Sequence, residues 1–528
     1  MTIKKKDLYQ LLLKRLEGKE RSLSQIPNPS LLKDAKKAAK RVADAIQNKE
    51  KITLIGDYDV DGVTSCAIMV DFFRQIPYKL DVVIPNRFKD GYGISQTLLE
   101  RVDADLIITV DNGITAIDPA KICKAKGIDL IITDHHTPPQ DLPDAYAIVD
   151  PKLDDCTYPF KDICGAEVAW LLLGLIKKEL DLNIDMGGFL DLLSLAIIAD
   201  IMPLIDINRS IVKKGLSAFS KSSRASSVII RDFLGVSKIT SEHISFQIAP
   251  RLNSAGRMED ASIALEFLVA KTPHEAYDKF EILNELNELR KEMEAKTTKE
   301  AISMVNENDT IIVVAKDGWH EGVVGIVASR LVEKFSKPAI VLSINKDDAK
   351  GSARSLGEVD IYKLIKANQR FLTKFGGHKM AAGVGLKTSD IEKFKIAINE
   401  SAKEIPKKDF IPTEKTSGIL ETEDIDIELL NLMETFEPYG EANPRPTFML
   451  KDAEVVGVKL LGADKSHSKI EVRQYPHQQK TVELIAFKHI FKIPKNRKIS
   501  CSYSVTKNEF NGKISPQLLI NKIFENDG

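Results

Sequence analysis

The stretch Lys51-Ile-Thr-Leu-Ile-Gly-Asp-Tyr-Asp-Val-Asp-Gly62 is the most informative in the chain. Its apolar run 52–55 stops on a glycine and then delivers Asp57, Asp59 and Asp61 at alternate positions. A short apolar run bounded by a turn reads as a buried strand. Working outward, further apolar runs at 80–84, 106–110, 130–132 and 146–149 alternate with helical stretches near 63–75, 95–102, 115–126 and 166–178. Buried strands separated by helices of about ten residues are the pattern of βαβ units, whose strands pair in parallel under helical cover. Residues 51–227 are therefore expected to form an α/β domain on a parallel sheet.

The remaining organisation follows from periodicity. Residues 1–50 read as a helical segment, with Leu8, Leu11, Leu12 and Leu16, then Ala39, Val42, Ala43 and Ile46, at helical spacing. Residues 228–305 read as a helical connector ending in a long helix marked by Phe280, Leu283, Leu286, Leu289 and Met293. A second α/β domain is expected over 306–406, a Pro- and Glu-rich linker over 407–447, and a small antiparallel barrel over 448–528.

The composition narrows the class. With 528 residues, 43% hydrophobic and 29% charged, the chain reads as an ordinary multi-domain globular protein. No run approaches the ~20 apolar residues of a membrane helix, and the start lacks the apolar core of a secretion signal. The five cysteines, Cys66, Cys123, Cys156, Cys164 and Cys501, are widely spaced, without a CxxC pair. That pattern fits neither a disulfide framework nor a zinc site of usual spacing, and the expected compartment is the reducing cytoplasm. Net charge is −1, yet 451–528 hold 14 Lys/Arg against 8 Asp/Glu while 411–450 hold 2 against 9. A basic terminal module suits a polyanion, although a solvated charged surface has the same composition.

The chemistry lies where the acidic residues fall. The strand at 106–110 runs into Asp111-Asn-Gly113, and the one at 130–132 leads to Asp134-His-His136. In a parallel sheet, ligands bind at the carboxyl ends of the strands, so these clusters and Asp57–Asp61 should converge, with Asp200 as a fourth candidate. Converging carboxylates repel one another unless a cation sits among them. Four or five carboxylates with one or two imidazoles and no thiolate suit Mn²⁺ or Mg²⁺, and more ligands than one octahedral shell needs favours two ions. Taken singly, an Asp-x-Asp-x-Asp run also fits a calcium loop or a turn, and Asp200 also fits a helix cap.

These four motifs, the last being Ala199-Asp-Ile-Met-Pro-Leu204, resemble those of the DHH phosphoesterase superfamily. Further stretches are similar to its branch of bacterial RecJ-type single-strand-specific exonucleases: Cys164-Gly-Ala166, Ile248-Ala-Pro-Arg-Leu-Asn-Ser-Ala-Gly-Arg257, Gly318-Trp-His-Glu-Gly322, Gly351-Ser-Ala-Arg-Ser355, Gly376-Gly-His-Lys-Met-Ala-Ala-Gly383 and Pro438-Tyr-Gly-Glu-Ala-Asn-Pro444. The resemblance implies a metal-dependent 5′→3′ exonuclease on single-stranded DNA that releases 5′-mononucleotides with a metal-activated water as nucleophile, acting in recombination and repair. It implies Asp59, Asp61, Asp111, His135 and Asp200 as ligands of two ions, Mn²⁺ or Mg²⁺. Asp57, Asp111, Asp134 and His136 form the implied catalytic group, with Asp134 orienting the histidines. It also implies an OB-fold terminal barrel and a DHH-associated second lobe that holds DNA through Ser352, Arg354 and His378, joined by Arg251, Asn253 and Arg257. Two departures stand out: Ile55 replaces a histidine common in the superfamily, and Asp150-Pro-Lys replaces the commoner Asn-Pro-Lys.

Other readings stay open at this level. Arg251, Asn253 and Arg257 serve equally as braces between domains, and Trp319 either stacks on a base or fills the core. Tyr475, His477, Phe487, Phe491, Tyr503 and Phe510 either line a strand-binding groove or pack inside the barrel. Within the superfamily the alternatives are a short-oligonucleotide phosphatase, a cyclic-dinucleotide phosphodiesterase or a pyrophosphatase; outside it, a non-catalytic DNA-binding replisome scaffold. If the interlobe cleft admits only single strands, a helicase or single-strand-binding protein is a useful partner, and a monomer suffices.

Overall fold

The computed structural model describes residues 2–411, 416–462, 465–475, 480–494, 496–510 and 513–524. Strands Asp81–Val83, Ile52–Ile55, Leu106–Val110, Asp129–Thr133 and Ala147–Val149 lie side by side in that order, all parallel. The three central strands are almost wholly buried, as expected for a sheet covered on both faces. Helix Val60–Phe73 follows the first strand directly, so residues 56–59 form the turn at its carboxyl end.

The connector belongs to this first core as far as Leu286. Ile230, Ile244, Ile248, Leu252, Phe267, Phe280 and Leu283 pack in the same apolar cluster as the sheet. Helix Pro273–Ser303 then carries the chain to the second lobe, where Ala301 joins another cluster. That lobe is a five-stranded sheet in the order Leu372–His378, Ala381–Lys387, Asp348–Arg354, Ala339–Asn345, Ile312–Asp317, in which only the last pair is parallel.

The C-terminal module is a closed barrel formed by Thr447–Leu461, His467–Arg473, Val482–Ala486, Lys513–Phe524 and Lys498–Phe510. Here the structure departs from the expected boundaries. Residues 416–447 are a folded part of this module rather than a linker, whereas Phe410 packs on the second lobe. Leu420, Leu429, Leu430, Met433, Phe436 and Tyr439 are buried in one cluster with the barrel's Phe448, Val472 and Tyr503. Several of the acidic residues that gave it a linker-like composition lie at helix starts, such as the Asp426 cap of Ile427–Glu434 and Glu423 and Asp424 in the turn before it. The first 50 residues also divide. Helix Ala35–Asn48 packs on the sheet domain. Helix Lys5–Leu16 inserts Leu8 and Leu12 into the barrel cluster, Lys5 pairs with Asp426 and Glu428, and Thr2–Ile3 pairs in parallel with Ile419–Leu420.

Leu12 is fully buried in that cluster, so Leu12→Ala should cost the terminal module about 2–5 kcal/mol. Hydrogen exchange should show faster opening of strand Lys498–Phe510 amides with strand Leu106–Val110 unaffected; equal loosening of both would contradict this assignment.

Candidate metal centre and the facing basic wall

Each acidic group is placed by backbone. Asp59 caps helix Val60–Phe73, its Oδ1 accepting from the Asp61 and Gly62 N–H groups at 3.0 and 3.2 Å. Asp61 lies in the first turn, and its carboxylate accepts from the Gly165 and Ala166 N–H groups at 2.6 and 2.9 Å. Those groups open helix Gly165–Glu179, whose positive end favours an anion. The approach is so close that a Cβ on Gly165 would lie 2.6 Å from the Asp111 Cβ. Asp111 has φ +61°, an uncommon conformation for a non-glycine residue and one that clusters at functional sites. Asn112 fixes the neighbourhood by donating to Ile55 O and Val110 O and accepting from the Ile94 N–H.

The side chains converge as the strand-end argument requires. His135 Nε2 lies 3.1 Å from Asp111 Oδ1 and 3.6 Å from both Asp61 Oδ2 and Asp200 Oδ2. Among the described residues, three sets offer ligand atoms within 4.8 Å of one another: Asp57/Asp59/Asp111, Asp61/His135/Asp200 and Asp111/His135/His136. Asp111 and His135 each serve two sets, the arrangement of adjacent cation positions rather than one.

The electrostatics fit a cation. Burial first, then Asp59, pushes Asp57 well above the usual carboxylate range and Asp61 up to about 6. Burial with Asp61 and Asp59 raises Asp200 to about 8, and burial with Asp61, Asp59 and Asp57 raises Asp111 well above its ordinary value. Asp57 Oδ1, Asp111 Oδ1 and Asp200 Oδ2 are buried without a hydrogen-bond partner. Orphaned, mutually repelling oxygens around one point are what a divalent ion satisfies. Burial, then His136, lowers His135 to about 3, leaving a neutral imidazole suited to ligation. Asp134 behaves oppositely to the other aspartates. Against its burial, the His136 ring and the Ile114 N–H hold it below the usual range, and Asp134 Oδ1 lies 2.7 Å from His136 Nδ1. Burial opposes protonation of His136, yet the Asp134 bond and charge lift it to about 9. Asp150, at the last strand's end, is buried, accepts from the Lys152 N–H, and rises to about 7.

A basic wall faces this acidic floor. Burial first, then Arg87, with Arg290 and Arg354 adding to it, pushes Arg257 down to about 10 while Asp59 opposes the shift. Burial also lowers Arg354. Arg257 and Arg354 donate to backbone oxygens, Gly322 O at 3.4 Å and Ala353 O at 2.9 Å. Arg354 and Ser352 face the start of helix Val324–Phe335, where a Cβ on Gly325 would sit 3.2 Å from both Arg354 Nη2 and Ser352 Oγ. The register sets His378 opposite Ala381 and Ala381 opposite Arg354, and sets Ser352 opposite Gly383 and Gly383 opposite Gly376. His378 thus shares a row with Arg354, and open glycine backbone adjoins Ser352.

Not every expected residue gathers here. Arg251 does not reach the site: it donates to Asn284 Oδ1 at 2.7 Å and to Gln247 O and lies over the Phe233 ring at 4.3 Å, bracing the connector against the long helix. Asn253 and Arg257 do line a cavity of about 450 Å³ beside Asp200, together with Met202, Arg290 and the exposed Phe246. Trp319 packs, its indole N–H donating to Glu300. Tyr503 and Phe491 are barrel core, while Phe487 is exposed beside His467. His477 and the side chain of Phe510 lie outside the described residues.

Sequence reasoning missed Arg87 and Tyr92. Both lie on the loop after strand Asp81–Val83, where Arg87 stacks over Tyr58 at 5.2 Å and the Tyr92 ring meets those of Tyr58 and His136. The signal was available, because the strand-end argument applied to the other strands points to this loop as well.

Comparison with known proteins agrees with this layout. Three family models match: "DHH family, N-terminal domain" over 51–197, "DHHA1 domain" over 308–404 and "RecJ OB domain" over 416–522. The last begins within the stretch expected to be a linker. The chain is 39% identical over 504 residues to the single-stranded-DNA-specific exonuclease RecJ of Bacillus subtilis, covering 93% of this chain and 64% of that protein. It is 32% identical to the protein of that name in Haemophilus influenzae, covering 96% of this chain and 93% of the relative. The crystal structure of RecJ in complex with Mn²⁺ from Thermus thermophilus superposes with a TM-score of 0.79 at 28% identity, over 94% of this chain and 72% of that one. A Mg²⁺ complex of the same protein matches at 0.76. Among the described residues no helix is long and apolar enough to cross a membrane.

Two outcomes are expected. Saturating Mn²⁺ should raise the melting temperature, since a ligand at 100 times its dissociation constant adds about 2.7 kcal/mol, and Asp111→Ala should abolish the shift. In chelator, stability should fall as pH rises from about 6.5 to 9. Across that window Asp150 (about 7), Asp200 (about 8) and His136 (about 9) keep protons in the folded state that the unfolded chain has released. The folded state therefore binds more protons, and raising pH favours unfolding; a flat melting profile there would count against these environments.

Proposed function

The chain belongs to the RecJ family, and from that membership we propose that it is a metal-dependent exonuclease specific for single-stranded DNA, removing 5′-mononucleotides in the 5′→3′ direction during recombination and repair. The observation that carries the reading is an acidic, histidine-bearing floor whose Asp59 acts on Arg257, which in turn feels Arg87 and Arg354.

Asp59, Asp61, Asp111, His135 and Asp200 would hold two divalent ions, Mn²⁺ or Mg²⁺, with Asp111 shared and Asp57 beside it. Such ions, when bound, supply a water ionised near neutral pH and positive charge on the reacting phosphoryl oxygens. The chain's own residues do the rest. Asp134 stays ionised and keeps the His136 imidazolium charged, so its outer nitrogen can donate to a phosphate oxygen or to the departing 3′ oxygen. His135 stays neutral and offers a lone pair. Arg87, Arg257 and Arg354, with Ser352 and the His378 row, would grip the terminal 5′-phosphate through bidentate and backbone contacts. A terminal phosphate fixed at one nucleotide's reach from the metals defines both the polarity and the size of the product.

Beyond the scissile bond, the strand would pass Asn253 and the apolar side chains of the neighbouring cavity, which suit unpaired bases and sequence-tolerant stacking. The basic barrel would guide the incoming strand. On this proposal 51–227 is the catalytic domain and 306–406 the phosphate-gripping domain. A helicase or single-strand-binding protein would supply unpaired DNA, and one copy of the chain would suffice.

A time course on single-stranded oligonucleotides labelled at either end, with Mn²⁺ or Mg²⁺, tests the reading. Mononucleotides should leave the 5′ end with the wild type, and Asp111→Ala should lower the rate by at least about 10³-fold. Arg354→Ala should weaken binding of 5′-phosphorylated ends by about tenfold, since a charge-assisted pair contributes 1.5–3 kcal/mol, with a smaller effect on 5′-hydroxyl ends. Degradation confined to two- to five-nucleotide oligomers would favour the short-oligonucleotide alternative; release from the 3′ end would overturn the proposed polarity.

A further inference from the structure

Asp200 differs from Asp59, Asp61 and Asp134 in how it is held. Asp61, Asp59 and Asp134 accept backbone N–H groups, whereas Asp200 Oδ2 has no hydrogen-bond partner and its side chain is 27% exposed. It stands one residue past helix Leu190–Ala199, in a short loop that ends at helix Asp206–Phe219. Within that loop Ile201 has φ +55° and closes the helix as a left-handed cap, its N–H donating to Ile198 O at 3.2 Å and the Met202 N–H to Ile197 O at 3.0 Å.

Beyond that cap the loop is held by the terminal module. The Leu204 N–H donates to Glu441 O at 2.8 Å, across more than two hundred residues of sequence. Gly440 packs so tightly on Leu204 that a Cβ there would lie 2.7 Å from Leu204 Cδ1. The 436–443 segment making these contacts is itself fixed from the catalytic domain. Arg209 is fully buried on helix Asp206–Phe219; it donates to Phe436 O, Glu437 O and Pro438 O at 3.0–3.1 Å and pairs with Glu20 at 3.0 Å. Ser241 Oγ donates to Tyr439 O, and Asn443 Nδ2 closes the segment on Phe436 O and Pro438 O.

We propose that residues 436–443, anchored by Arg209, form a strut that sets the position of Asp200, so that Gly440 and Arg209 are positioning residues for the metal centre. The proposal rests on the reading of Asp200 as a metal ligand. The strut also leads directly into barrel strand Thr447–Leu461, so a load on the barrel reaches the metal site through one short segment.

The test is Mn²⁺ binding to the full chain without DNA, read from the electron paramagnetic resonance signal of free Mn²⁺. Gly440→Ala and Arg209→Met should each weaken the Mn²⁺ dissociation constant by about tenfold, the usual scale for residues that orient ligands. Leu204→Ala should restore much of the Gly440→Ala loss by removing the atoms the new methyl meets. Raising Mn²⁺ should return the Gly440→Ala rate on a trinucleotide to the wild-type value, which a general folding defect would not allow. If Asp200→Asn weakens binding while both strut variants bind as wild type, the strut is refuted and the ligand reading stands. If Asp200→Asn itself binds as wild type, the ligand reading fails and the strut with it. Should Arg209→Met not fold, Gly440→Ala decides.

Discussion

Like charges brought together out of water govern this molecule. Two carboxylates about 4 Å apart repel by roughly 4 kcal/mol even at an effective dielectric of 20, and here Asp57, Asp59, Asp61, Asp111 and Asp200 share one pocket. The surrounding structure distributes that repulsion. The N-terminus of helix Gly165–Glu179 neutralises part of Asp61, the Asp59 cap uses one of its oxygens on helix Val60–Phe73, and Asp134 is compensated by His136. Each device spends backbone N–H groups or an imidazolium on a carboxylate while leaving other oxygens turned toward a common centre. Gly165 and the backbone of Asp111 record how closely the elements must approach for this to work.

The arginines present the opposite problem. Arg87 from the sheet domain, Arg290 from the long helix and Arg354 from the second lobe all act on Arg257 of the connector, although Arg290 is tied to Glu294 at 2.8 Å. A floor that attracts cations opposite a wall that attracts anions matches a substrate whose phosphates need both. The lobes meet through few contacts, Phe88 against His320 and Arg257 against Gly322, with helix Pro273–Ser303 as the continuous link. The spacing between floor and wall is therefore a property of that long helix as much as of the two sheets.

Much of this was legible in the residues. The buried apolar runs located the parallel strands because a sheet covered on both faces leaves no alternation to confuse them, and strand-end logic brought Asp57–Asp61, Asp111, Asp134–His136 and Asp200 together. The second lobe was less legible, since Arg354 and His378 share a row only through antiparallel register, a long-range property. Arg251 and Arg257 share one sequence motif, yet the helix carrying them turns them to different partners, Asn284 and Gly322. The 407–447 stretch misled because its buried residues find their core in the barrel and in helix Lys5–Leu16, hundreds of residues away. Composition reports what a segment contains and is silent on what it meets.

That last arrangement has a consequence for biosynthesis. Helix Lys5–Leu16 leaves the ribosome well before its partners: Leu420, Leu429 and Met433, among which Leu8 and Leu12 are buried, are made some four hundred residues later. At 5–20 residues per second that is a delay of roughly 20–80 s. Throughout it, a short amphipathic helix must wait with its apolar face uncovered beside a domain that is already assembling. Its many lysines, together with Arg15, keep such a nascent segment soluble. Helix Lys5–Leu16 and the barrel module thus mature together, and the strut beneath Asp200 is completed only when they do.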